Sequence, residues 1–119
     1  MNCGTLVIWN PVPDGSVLKA KTRGTNNNYD ARIRVVPNHD PSIFWDRPQL
    51  DPGPASKPIN AGDQLTVMPR VVIAGADPAT VTMDIWVEKG GAKVRECTWQ
   101  VTPEMSPFKV LISIVQGED

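Results

Sequence analysis

The chain has 119 residues, enough for one domain with a sizeable core. Its 40% hydrophobic and 21% charged residues are ordinary for a soluble globular protein, and a formal net charge of −1 provides no global field for nucleic acid or a membrane surface. No apolar run approaches membrane-span length, and the start of the chain lacks the basic and apolar regions of a signal peptide, which favours a cytoplasmic reading.

The patterning has a period of two from the N-terminus onward. Strands are expected at 5–10 and 17–22, separated by Pro13-Asp14-Gly15, in which Pro presets φ and Gly admits positive φ. A third strand at 29–36 is the cleanest case. Tyr29, Ala31, Ile33 and Val35 point one way, and Asp30, Arg32 and Arg34 the other. The Gly24-Thr25-Asn26-Asn27-Asn28 link reads as the turn of a hairpin between the second and third strands, with Asn tolerating the left-handed region.

Next comes a long proline-rich loop at 37–61. Six of the twelve prolines fall between Pro37 and Pro58, together with the only histidine, His39, and the apolar triplet Ile43-Phe44-Trp45. Long irregular loops in compact domains are usually functional or disordered. The triplet predicts that Phe44 and Trp45 are buried and pin the loop, because burying a large aromatic is worth roughly 2–3 kcal/mol.

Further strands are expected at 64–68 and 71–74, broken at Pro69, which cannot donate to a ladder. Two more, at 80–89 and 92–101, flank Gly90-Gly91. A two-residue turn there would set Ile85 against Glu96, whereas a three-residue turn, Lys89-Gly90-Gly91, pairs Met83 with Cys97 and Val81 with Trp99. The second keeps the apolar faces together and turns Trp86 outward opposite Val94. A last strand at 108–116 alternates through Phe108, Val110, Ile112 and Ile114.

About seven to eight short antiparallel strands without a helix imply a single all-β domain over 1–119. The expected form is a β-sandwich, immunoglobulin-like or jelly-roll-like, with a small β-barrel as the alternative. The immunoglobulin signature itself is missing: Cys3 is too early, and Arg95 stands where a corner tyrosine belongs. Cys3 and Cys97 form no metal-binding spacing. With no export signal, two reduced, buried thiols lead over a disulfide.

Chemistry-bearing constellations are sparse. His39 beside Asp40 is a conceivable general base, but it lies among turn formers with no nucleophile motif near. Asp40, Asp46 and Asp51 share the loop at spacings that match no calcium-binding pattern. No metal or cofactor is expected. The segment 17–36 is sharper. It carries Lys19, Lys21, Arg23, Arg32 and Arg34 against Asp30 alone, a net of +4 that leaves −5 for the remainder. On one hairpin these five cations would form a surface for an anionic partner, or simply a solvated face. Little aromatic interleaving disfavours single-stranded nucleic acid. Trp86 is a candidate sugar platform or interface anchor.

Both terminal strands are apolar on two faces, so something should cover Leu111 and Val115; a second copy of the chain is the simplest cover. The reading is therefore a non-catalytic binding or assembly module acting through protein contacts, with itself or another protein as partner. The alternative is a carbohydrate- or polyanion-binding module. An enzyme using His39 ranks third.

Overall fold

The computed structural model describes residues 3–42, 44–50, 59 and 63–116. Its strands are β1 (Leu6–Val12), β2 (Val17–Gly24), β3 (Tyr29–Pro37), β4 (Trp45–Arg47), β5 (Gln64–Ile73), β6 (Val81–Lys89), β7 (Ala92–Val101), β8 (Phe108–Lys109) and β9 (Leu111–Gln116), with one 3-10 turn at Pro103–Met105. They form two sheets, in the orders β1-β9-β5-β3-β4 and β2-β6-β7, with β8 joined to β5. The architecture is a β-sandwich. Its pairs are antiparallel except β1–β9, which run parallel.

Period-two patterning becomes the core directly. Leu18 and Ala20 from β2, Ile33 and Val35 from β3, Met83 and Ile85 from β6, and Ile112 and Ile114 from β9 are buried between the sheets. Trp99 packs against Phe108 with ring centroids 6.4 Å apart.

Pro69 does not break its strand. It lies inside β5, paired with Ile33 of β3, and is buried. The interruption falls on the opposite neighbour. Arg70 pairs with Lys109 of β8 and Val67 with Ile112 of β9, so Pro69 lies opposite the gap at Val110. Pro lacks the N–H that a ladder needs, and the partner strand absorbs the defect.

The β6–β7 turn differs from expectation in length and register: the apolar faces meet, but the expected pairs Met83–Cys97 and Val81–Trp99 are not formed. Gly90 and Gly91 have φ of 61° and 81°, and Lys89 pairs with Ala92, which makes a two-residue turn with both central residues left-handed. The register then slips between Val87 and Glu88, because Glu88 pairs with Lys93 but Val87 with Arg95. This bulge at Val94 restores the apolar match, setting Ile85 against Cys97 and Met83 against Trp99. Trp86 faces outward, but opposite Glu96 rather than Val94.

The expected β2–β3 hairpin is not formed. The two strands belong to different sheets, so the Gly24–Asn28 link crosses the sandwich. The Asn26 and Asn28 side-chain amides donate to the Asp77 carbonyl at 3.0 and 2.6 Å. Among the described residues no non-glycine has positive φ, so the asparagines act through their amides and not through left-handed backbone. Gly24 lies flat against Tyr29. A Cβ there would fall within the ring edge and 2.9 Å from the Asn26 carbonyl oxygen. Gly24→Ala is accordingly expected to cost about 1–3 kcal/mol in chemical denaturation, as overpacking does; an unchanged midpoint would show that Tyr29 moves aside freely.

Two features close the sides of the sandwich. On the β2 side, Leu50 and Ile59 are buried, and both come from the proline-rich connection. Leu50 exchanges backbone hydrogen bonds with Ala20, both at 3.0 Å, and the Ile59 N–H donates to the Ser16 carbonyl at 2.7 Å. The connection thus covers the free edge of β2. On the β7 side, Cys3 and Cys97 are joined in a disulfide with Cα atoms 5.6 Å apart, which corrects the expectation of reduced thiols. Strands remote in sequence are neighbours here, at a separation that suits the bond.

Candidate functional site

The five expected cations do not form one surface. Lys19, Lys21 and Arg23 lie on β2 in the smaller sheet, and Arg32 and Arg34 on β3 in the larger one, so the two groups occupy different sheets. On the smaller sheet the charges are largely paired. Lys19 reaches Glu88 at 3.0 Å and Arg23 reaches Asp84 at 3.7 Å. The Trp86 indole donates to Glu88 at 3.0 Å, and Lys93 stands 4.7 Å from its ring centroid. The Trp86 bond, followed by that from Lys19, holds the Glu88 carboxyl below its ordinary range. Trp86 is therefore half-buried, with a lysine ammonium over its ring.

The loop residues also redistribute. Phe44 is 57% exposed, contrary to the expected burial, and the Arg34 guanidinium lies 5.4 Å from its ring centroid. Trp45 is half-buried on β4 opposite Val35, while Ile43 lies outside the described residues. Leu50 and Ile59 pin the loop instead, for the short stretch after Trp45 turns its apolar side chain inward only at Leu50. The His39 side chain is 63% exposed, with Nδ1 4.0 Å from an Asp63 carboxylate oxygen. Asp40 does not orient it. The Asp40 carboxylate accepts from the Ser42 hydroxyl at 2.5 Å and from the Ser42 N–H at 3.2 Å, and these bonds lower its pKa. Asp46 faces Arg34 at 3.6 Å, and Asp51 lies outside the described residues.

The richest surface is the outer face of the larger sheet. Register places Lys109, Arg70 and Arg32 directly opposite one another across β8, β5 and β3. Two residues along, the next row is Leu6, Leu111, Met68, Arg34 and Asp46. Between the two rows runs an open groove of about 510 Å³, lined by Arg32, Arg34, Met68, Arg70, Lys109 and Leu111 among others. Arg32 is 3.5 Å from Asp30, but Arg70 and Lys109 have no carboxylate partner among the described residues. Towards the β1 edge, Leu6, Ile8 and Leu111 are 60%, 65% and 39% exposed. Val115 is half-buried on the same outer face, opposite Gln64.

Arg70 and Lys109 were not singled out by the sequence pattern, and Leu6 and Ile8 were read only as one apolar face of the first strand. Lys109 and Leu111 alternate with a clear core set, so their outward direction was readable. Arg70 was hidden by the assumption that Pro69 resets the register; in a continuous strand, residues 64, 66, 68 and 70 share one face.

Fold and site together define a β-sandwich domain whose larger sheet presents a part-apolar, part-cationic outer face. The chain matches no protein-family model, no curated protein and no solved structure. No helix among the described residues is long and apolar enough to cross a membrane.

Proposed function

We propose that the protein is a non-catalytic assembly module that self-associates through the β1 edge of its larger sheet. One observation carries this reading: Leu6 and Ile8, both more than half exposed, stand on an edge strand whose outer side pairs with no other strand among the described residues. An exposed apolar edge is a template for pairing, and pairing two identical edges antiparallel about a two-fold axis makes a closed dimer. Leu111 stands directly beside Leu6 and extends the apolar surface inward. The Cys3–Cys97 bond favours oxidising surroundings for this module over the cytoplasmic expectation.

Sedimentation tests it. The wild type is expected to be a dimer at micromolar concentration. Leu6→Glu with Ile8→Glu is expected to be a folded monomer, since losing an interface anchor costs about 2 kcal/mol, roughly 30-fold in dissociation constant. A wild type that stays monomeric at high concentration overturns the reading.

A further inference from the structure

On this face, Arg70 and Lys109 have no ion-pair partner among the described residues, and they occupy costly positions. Arg70 stands directly opposite Arg32 on one side and Lys109 on the other, and like charges at opposed positions of neighbouring strands repel. Asp30 and Asp46 offset Arg32 and Arg34. The residual charge of this face therefore centres on Arg70 and Lys109. The four cations and two carboxylates sum to +2, within a chain whose total is −1, so the remainder is −3. The positive field is local, and it coincides with the groove.

We propose that this groove docks an acidic, part-apolar segment of another protein chain, with carboxylates on Arg70 and Lys109 and an apolar side chain against Met68 and Leu111. The inference does not depend on self-association through β1. Three points select this occupant. The cationic row crosses three strands, about 10 Å, which is wider than one oxyanion. Leu111 and Met68 also line the groove, an apolar surface of little use to a sulfated glycan. A second copy laid face to face would set +2 against +2. In an extended segment, residues two apart share a face at steps of about 6.6–7 Å, the same step that separates the cationic row from the apolar one. A Glu-x-Leu order thus meets both rows.

The test uses the fluorescein-labelled peptide Glu-Ser-Glu-Ser-Leu-Ser-Leu, its Gln-for-Glu counterpart and a labelled heparin hexasaccharide, read by anisotropy at low salt. Wild type is expected to bind the acidic peptide at least tenfold more tightly than the Gln peptide. Arg70→Gln with Lys109→Gln should weaken that binding at least tenfold, and Leu111→Ser at least threefold. Ile8→Ser, at a position opposite Ser113 and outside the two rows that flank the groove, should keep it, which separates this site from the assembly edge. The Arg70/Lys109 variant should melt no lower than wild type, since it removes a repulsion. Undetectable binding of the acidic peptide, or equal binding by wild type and the Arg70/Lys109 variant, overturns the proposal. So does heparin binding that requires Arg70 and Lys109 without peptide binding, which assigns the groove to a sulfated glycan.

Discussion

Removing the Cys3–Cys97 bond is expected to lower stability by about 3–4 kcal/mol, a fall in melting temperature on the order of 10 °C. The bond joins residues 94 apart in sequence, so it closes nearly the whole chain. Cross-linking restricts the unfolded ensemble, and for a loop near 100 residues chain entropy puts the effect at about 4–5 kcal/mol; measured effects run lower. The bond also ties the segment before β1 in the larger sheet to β7, an edge of the smaller one. Beside it, the Trp99 indole donates to the Gly4 carbonyl at 3.3 Å, so the lead-in to β1 has two anchors on β7. Cys3→Ser with Cys97→Ser, and wild type with reductant, should show the same loss in chemical denaturation. Two titratable thiols in the untreated protein, with no response to reductant, would contradict it.

Leu50→Ala is expected to cost about 2–4 kcal/mol, as buried leucines do when the cavity relaxes only in part. Leu50 is buried although it belongs to the connection between β4 and β5, and its backbone pairs with Ala20 on the free edge of β2. Its truncation should loosen that cover, so limited proteolysis should cut within 37–61 sooner than in the wild type. Phe44→Ala is the control. An exposed ring has little apolar area to lose, and its removal should change stability by no more than about 0.5 kcal/mol. If Phe44→Ala cost more than Leu50→Ala, the ring and not the leucine would be holding the connection.

The period-two runs by themselves determined the all-β class, the existence of the principal strands and the face each presents to the core. Alternation is a local property: once Ile33 and Val35 turn inward, Arg32 and Arg34 must turn outward whatever their neighbours are. The turn chemistry was local too. Gly15, Gly90 and Gly91 take the positive φ that their turns require. Tertiary structure alone decided which strand lies beside which. No local rule places β5 between β9 and β3, or sends β2 and β3 to different sheets, because those choices depend on how two complete apolar faces fill one core. That choice divided the expected five-cation patch and assembled another from Arg32, Arg70 and Lys109, residues as far apart as 77 positions in the sequence. It also brought Cys3 to Cys97 and made Leu50, an isolated apolar residue among prolines, part of the core. In each case the deciding contact is long-range, and a single sequence records such contacts only through the fold that makes them.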